Sequence, residues 1–430
     1  MALAHKVLML VENASWPVDQ RVKNEAAALR EKGFQVSIIC PKMSSGSQHQ
    51  ESYLCVDTIH VYRYSLPRTT NKYTAYLIEY VFAMLKTFWL SLKVLFLHGF
   101  DVIHAANSPD LFFTLGLFYR LLGKKYIFDQ HDLAPELFKV KFSNRMKFLQ
   151  KIQLFFERCS YRVADLVLVT NFSQKEKAIN RGGCGAEKVV VVRNGPDLER
   201  IKLVPPESEL KRGRRYLLAY VGEMALQDGV DYTLYVLDQL VHKCGRQDVS
   251  LVLMGDGQHA SELRVLAHKL QLDEYVHFTG WVKSDELVRY LATADIGLVP
   301  DPKNGLNEFS TLVKTMEYMA MEKPIVAFDL QETRFSARES ALYATPNIVE
   351  EFAAKIETLL DDEALRARMG VIGHKRVIDE LSWDNTKKNL WLAYELLFNM
   401  RQAPLLLPGS QKDTQQPTHT ITQDEKALLQ

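Results

Sequence analysis

Two successive series of short apolar runs, each alternating with helical stretches, constrain this chain more than any other feature of its sequence. Residues 7–11 are continuously apolar, as a strand covered by helices on both faces requires. A helical pattern over residues 19–32 follows and stops at Gly33, which tolerates the left-handed conformation of a helix end. Residues 36–40 form a second apolar run closed by Pro41, and the series continues at 102–104, 126–128, 166–169 and 189–192. Strands alternating with helices predict an α/β fold with a doubly wound parallel sheet.

The rhythm breaks over residues 196–215, where Pro205-Pro206 and the basic stretch Lys211-Arg212-Gly213-Arg214-Arg215 read as a linker. A second series starts at 217–221 and runs through 250–254, 275–278, 296–299 and 324–328. A chain of 430 residues exceeds one ordinary core, so two Rossmann-like domains are expected, 1–195 and 216–381. Ligands of open α/β sheets bind at the carboxyl ends of the strands, which places the site in the cleft between the two domains. A helix over 382–400, with Trp383 and Trp391, is expected to cross back to the first domain, and 401–430 reads as a disordered tail.

Composition excludes several alternatives. A formal net charge of +1 gives no global pull toward nucleic acid. The five cysteines form no Cys-x-x-Cys pair, which argues against zinc ribbons and disulfide frameworks and fits a reducing compartment. The first apolar run is too short for a signal peptide and reads as a strand, so a cytoplasmic location is expected. Two stretches invite a membrane test. Residues 73–100 are apolar and aromatic, but Glu79, Lys86 and Lys93 interrupt them, which argues against a spanning helix. Over 139–162, Phe142, Met146, Leu149, Ile152 and Phe156 fall on one helical stripe, with Lys141, Arg145, Lys147, Lys151, Arg158 and Arg162 largely off it. That layout suits peripheral contact with an anionic bilayer, although a solvated basic face over a core stripe has the same pattern.

Residues 308–327 are the most informative segment. A helix beginning near Ser310 and Thr311 would aim its N-terminal amides at the cleft, ready for phosphate oxygens. Lys314 falls one turn in, and Glu317 lies three residues later on nearly the same face, placed to accept hydrogen bonds from ribose hydroxyls. An amphipathic helix with an internal Lys–Glu pair has the same spacing. The segment resembles the donor-binding element of family-4 glycosyltransferases: Glu, seven residues, Glu, then a small-residue run ending in Gly-x-Pro-Val-Val. Further resemblances follow in order along the chain. Asn194-Gly195 with Asp197 is similar to the family's close of the first domain. Gly255-Asp256-Gly257 is similar to its glycine loop, and Phe278-Thr279-Gly280-Trp281-Val282 to the loop that cups the base. Residues 294–300 are similar to the strand before the donor element.

The resemblance implies the GT-B fold, a nucleotide-sugar donor, retention of anomeric configuration, and neither a catalytic metal nor a cofactor. It implies donor contacts at Glu317, Gly222, Arg193, Gly255, Gly257, Trp281, Val282, Ser310 and Thr311. His131, after the run 126–128, corresponds to the histidine beside the donor sugar, and its unperturbed pKa near 6.5 suits proton transfer. Asp19 and Arg21, at the start of the first helix, suit acceptor or phosphate contact; an N-cap Asp with an exposed Arg is the plainer reading.

Two departures stand out. The first Glu of the motif falls at Phe309, with Glu308 one position early. The usual Gly-Arg…Lys-Gly pair reads Gly222-Glu223…Asp228-Gly229, so both basic phosphate partners are replaced by acids. Like charges about 4 Å apart repel by several kcal/mol at a protein-like dielectric, so another cation must compensate; Lys314 is the first choice, with Arg193 behind it. The altered layout, including Gln227-Asp228-Gly229 and Glu317-Tyr318-Met319-Ala320, resembles that of a bacterial surface-polysaccharide subgroup. The expected function is therefore transfer of a hexose-type sugar to a glycan or lipid-linked acceptor, with His131, Lys314 and Glu308 as catalytic candidates. A GT-B sugar-nucleotide 2-epimerase and a non-catalytic nucleotide-sugar scaffold are the rivals.

Overall fold

The first series of apolar runs, joined by a hairpin the runs do not mark, assembles into a single eight-stranded sheet. Its strands are β1 (Lys6–Leu10), β2 (Gln35–Pro41), β3 (Tyr53–Val56), β4 (Ile59–Tyr64), β5 (Val102–Ala106), β6 (Lys125–Gln130), β7 (Leu166–Val169) and β8 (Val189–Val191). Their spatial order is β3-β4-β2-β1-β5-β6-β7-β8, parallel throughout except for the β3–β4 hairpin. Among the described residues six helices accompany them: α1 (Gln20–Glu31), α2 (Lys72–Leu97), α3 (Phe113–Arg120), α4 (Ala134–Phe142), α5 (Lys147–Val163) and α6 (Phe172–Asn180). This computed structural model describes residues 5–43, 50–67, 72–108, 110–142 and 147–399. The expected tail over 401–430 lies outside them.

The second series gives a six-stranded parallel sheet of β9 (Tyr216–Val221), β10 (Val249–Met254), β11 (Val276–Gly280), β12 (Ile296–Val299), β13 (Ile325–Phe328) and β14 (Ala341–Ala344). Its order, β11-β10-β9-β12-β13-β14, reverses direction at β9, where ligands of such sheets bind. The helices are α7 (Val230–Asp238), α8 (Ala260–Lys269), α9 (Ser284–Thr293), α10 (Val313–Ala320), α11 (Gln331–Ala337), α12 (Val349–Asp361), α13 (Glu363–Arg376) and α14 (Trp383–Asn399). Each sheet is covered on both faces, which is why strands such as β7 and β13 are buried at every residue.

Residues up to Leu397 form one compact unit. After the second sheet the chain returns to the first: Trp391 Nε1 donates to the Ala28 carbonyl (2.9 Å), Tyr394 packs edge-on against Phe34, and Asn389 reaches the Val191 carbonyl.

The structure corrects two readings of the apolar stretches. Among the described residues one helical segment, Ile78–Leu97, is long and apolar enough to cross a membrane, with a mean hydropathy of 1.6. Glu79, Lys86 and Lys93 do not bring it below that threshold. It lies along the first sheet, with Ala83, Thr87, Ser91 and Val94 buried as one stripe. Residues 139–162 are two helices, α4 and α5, and residues 143–146, including Met146, lie outside the described residues. In α5 the expected stripe leans inward: Leu149, Ile152 and Phe156 are half-buried, and Phe156 meets Phe113 of α3. The aromatic residues of α5 that face out are Phe148 and Phe155.

Candidate functional site

At the carboxyl end of the first sheet, β6 delivers Asp129 and then His131. Asp129 is fully buried, and its carboxylate takes two hydrogen bonds from Arg21 of α1, Nε to Oδ2 at 3.1 Å and Nη2 to Oδ1 at 2.6 Å. Its Oδ2 also lies 2.6 Å from His131 Nε2. Burial would raise the Asp129 carboxyl, but Arg21 and His131 hold it well below the ordinary carboxylate range. Burial would lower the His131 imidazole, but Asp129 and then Asp19 raise its pKa to about 9. His131 is therefore an imidazolium at neutral pH.

Arg21 is not available to an acceptor. Its side chain is buried and fully engaged, with Glu25 Oε1 at 3.1 Å, the Val192 carbonyl at 2.7 Å and Asn194 Oδ1 at 2.6 Å in addition to Asp129. The amphipathic start of α1 explains this: Arg21 and Glu25, one turn apart, both face the sheet. Asp19 is the N-cap of α1, accepting from Val22 N at 3.1 Å, and its other oxygen lies 3.9 Å from His131 Nδ1. Beneath this layer His104 of β5 sits 3.3 Å from Glu25, 3.4 Å from Asp129 and 2.9 Å from the Tyr394 hydroxyl of α14. Burial pushes the Glu25 carboxyl up to about 7. Glu25, His104 and Asp129 have metal-ligand chemistry and converge. Arg21 bridges two of the three and His131 takes an oxygen of one, so the group reads as an ion-pair cluster.

At the carboxyl end of the second sheet, close approach of the β9 and β10 loops demands glycine. A Cβ on Gly255 (φ +135°) would overlap the Gly222 carbonyl oxygen, and one on Gly257 would meet Met224 O at 2.5 Å. These glycines, together with Gly222 (φ +151°), have a packing reason of their own. A Cβ on Gly222 would lie 3.7 Å from Lys314 Cε, which places Lys314 beside that loop.

Lys314 is buried and already partnered. Its Nζ bonds both oxygens of Asp301, at 3.1 and 2.9 Å, and lies 4.6 Å from the centre of the Tyr220 ring. Burial would lower its pKa, but Asp301 and Asp228 raise it, so the ammonium stays charged. The half-buried Asp228 carboxyl is itself pushed up to about 7 by desolvation, with Lys314 opposing. Arg193 is likewise spoken for: it bonds Glu332 Oε2 (2.9 Å) and Ser336 Oγ (3.0 Å) and stacks on Phe335. The second-choice cation of the sequence reading is thus a structural strut.

The donor helix starts later than the spacing suggested. Residues Asn307–Phe309 form a short turn, Ser310 Oγ bonds the Leu306 carbonyl at 2.9 Å, and Ser310 is extended, so α10 begins at Val313. Thr311 accepts from Asn171 Nδ2 at 3.0 Å. Glu308 is half-buried, 3.5 Å from Lys303 Nζ, and one of its carboxylate oxygens has no hydrogen-bond partner. Glu317 is buried on α10, where burial raises its carboxyl, and Arg200 Nη2 lies 3.8 Å from it. Trp281 is exposed, while Val282 packs on the second core.

Two chains of contacts bring the halves to one gap. Arg200, beside Glu317, also donates to Gln20 of α1 (3.4 Å), the neighbour of Asp19. On the other side, Gln174 Nε2 donates to the His131 carbonyl (3.4 Å), and Asn171 spans to the Phe309 carbonyl (2.9 Å) and to Thr311. Asp129, Asp301, Arg200, Asn171 and Glu332 were not among the expected site residues. Asp129 stands two positions before His131, a signal that was present; the other four come from sequence positions with no pattern of their own.

Two facing parallel sheets with loops meeting at their carboxyl ends define the GT-B class. Residues 18–200 match the family model described as Glycosyltransferase Family 4, and residues 215–362 match that described as Glycosyl transferases group 1. Together the two span most of the chain, which belongs to the family-4 glycosyltransferases. An uncharacterized glycosyltransferase of Methanocaldococcus jannaschii is 22% identical over 244 residues, 54% of this chain and 60% of that protein. The chain thus spans little more than half of that curated relative. Among solved structures, sucrose-phosphate synthase from Thermosynechococcus elongatus superposes with a TM-score of 0.74 at 18% identity, covering 92% of this chain and 99% of the other. Anabaena HepE in complex with UDP-glucose gives 0.66 at 17% identity, covering 92% and 100%. At these identities the structures speak for the fold.

Proposed function

We propose that the protein is a retaining glycosyltransferase that moves a hexose-type sugar from a nucleotide-diphosphate donor to a lipid-linked glycan in surface polysaccharide synthesis. The observation that supports this best is the junction just described, where the imidazolium of His131 and the donor helix with Lys314 and Glu317 border the same gap. HepE, a protein of the same fold, was solved with UDP-glucose, which supports a nucleotide-sugar donor.

In this reading Glu317 holds the ribose, and Lys314, shared with Asp301, faces the diphosphate. His131 and Glu308 position the sugar. The bond from the sugar C1 to the departing phosphate oxygen breaks, the acceptor oxygen bonds C1 on the same face, and the acceptor proton passes to the released phosphate. Stabilisation of departing charge then does most of the catalytic work. The reaction needs no metal or cofactor. The acceptor is met on the cytoplasmic face of a membrane, with peripheral contact near residues 139–162.

Calorimetry with a panel of nucleotide sugars, followed by assay of released nucleoside diphosphate with and without a glycan-lipid acceptor, tests the reading. Acceptor-dependent release is expected. Donor turnover without any acceptor would indicate the epimerase, and binding without release the scaffold; either result overturns the proposal.

A further inference from the structure

An apolar and basic surface lies on the outer side of α2, α3 and α5. Helix α2 is apolar on two opposite sides. One stripe packs on the sheet; the other, Ile78, Leu85, Trp89 and Phe96, points outward, with Trp89 67% and Phe96 84% exposed. These positions lie seven, four and seven residues apart, which keeps them on one line of a helix. A soluble surface has no use for such a stripe, because exposed aromatic area of this extent favours burial against something else.

The neighbouring helices extend the same face. Phe88 of α2 meets Phe118 of α3 edge-on at 5.4 Å, and Ser91 shares a hydrogen bond with Tyr119 at 2.7 Å. On the far side of α3, Phe113 touches Phe156 of α5, and Arg120 Nη1 bonds the Val163 carbonyl (3.2 Å). The outer line of α5 is Phe148, Lys151, Phe155, Arg158 and Arg162, with Phe148 74% exposed, so aromatic and cationic side chains alternate along it. Leu121, just past α3, is also exposed, at 69%.

The charges say what covers this face. Lys86, Lys151, Arg158 and Arg162 are exposed, and no carboxylate pairs with any of them among the described residues. Glu157, the one acid of α5, is turned inward to Arg181. A second copy meeting this face through a two-fold axis would set cation against cation. An anionic bilayer satisfies both features: rings and aliphatic side chains enter the acyl boundary, and the cations meet headgroup phosphates. A spanning arrangement of α2 does not, because it would strip Ala83, Thr87, Ser91 and Val94 from the sheet.

We propose that α2, α3 and α5 form one docking platform that lies flat on an anionic membrane, with α2 as its main apolar keel. This enlarges the contact suggested for 139–162 and stands apart from the transfer chemistry, since it is read without donor or acceptor. The test is co-sedimentation of the full chain with vesicles of phosphatidylcholine, alone or mixed with phosphatidylglycerol. The native chain should partition to the mixed vesicles. Trp89→Glu with Phe96→Glu should weaken partitioning at least about tenfold. Lys151→Gln with Arg158→Gln and Arg162→Gln should weaken binding to mixed vesicles by roughly tenfold or more, and leave binding to neutral ones unchanged. Phe148→Ser with Phe155→Ser, on a different helix, guards against a folding defect in α2. All variants should bind a nucleotide sugar as the native chain does. Equal vesicle binding by native and variant chains would overturn the platform. So would a dimer in sedimentation velocity that Trp89→Glu dissociates, which would assign the face to a second copy. Neither result bears on nucleoside diphosphate release.

Discussion

Each half of the molecule places a buried cation among carboxylates at the end of its sheet, but the two clusters are balanced differently. In the first half, Arg21 is saturated by Asp129, Glu25 and two further oxygens, and the charge that faces the gap belongs to His131. In the second, Lys314 has Asp301 as its direct partner and a second acid, Asp228, poised near neutrality. The first cluster is a closed ion-pair frame that fixes one imidazolium. The second is an open balance: if it meets the proposed diphosphate, a proton on Asp228 would offset part of the added negative charge.

The comparison fails first at Asp129. Asp129→Asn leaves the buried Arg21 short of its main counter-ion and should cost about 3–5 kcal/mol of stability in denaturant unfolding, as broken buried pairs do. A loss below about 1 kcal/mol would show the frame is not closed. In the second half, Lys314→Ala should lower turnover roughly 10²–10³-fold if it faces departing charge. Adding Asp301→Asn should restore stability without restoring turnover. Recovery of both would make Lys314 a purely structural group.

Titration sharpens the contrast. Asp228, raised to about 7, should make donor binding tighten as pH falls through that value, and Asp228→Asn should flatten the profile by calorimetry. His131 titrates in the other window. Its pKa rises from 6.5 to about 9 on folding, so the stability it contributes is fully present below about 6.5 and is lost as pH rises through 9. His131→Gln should remove that alkaline loss from thermal unfolding curves. The smallest effect is expected at Tyr394→Phe, about 1 kcal/mol from the lost bond to His104, with turnover nearly unchanged.

Much of the fold is legible in the sequence because buried parallel strands are continuous apolar runs: residues 166–169 and 296–299 coincide with β7 and β12. The strands that escape are those without such runs. β3 is a four-residue run that is exposed at alternate positions, β4 interleaves His60 and Arg63 with apolar residues, and the turn between them uses Asp57 and Thr58 at φ 50° and 68°, where glycine is the usual marker. The short β14 reads Ala-Leu-Tyr-Ala, too brief to distinguish from helix. At the site, motif positions place His131, Lys314 and Glu317, but motifs do not show which charges are already consumed. Arg21 and Arg193 stand in ordinary sequence surroundings, and only the fold brings Asp129 and Glu332 against them.

The hydroxyl that closes the first cluster belongs to residue 394, while the histidine it meets is residue 104. During synthesis, therefore, both sheets can emerge and pair before the last support of the first one has left the ribosome. A product truncated between Leu381 and Tyr394 would retain every described strand and every motif yet present His104 with an empty ring nitrogen. The integrity of α14 is in this way reported at a point some 290 residues upstream.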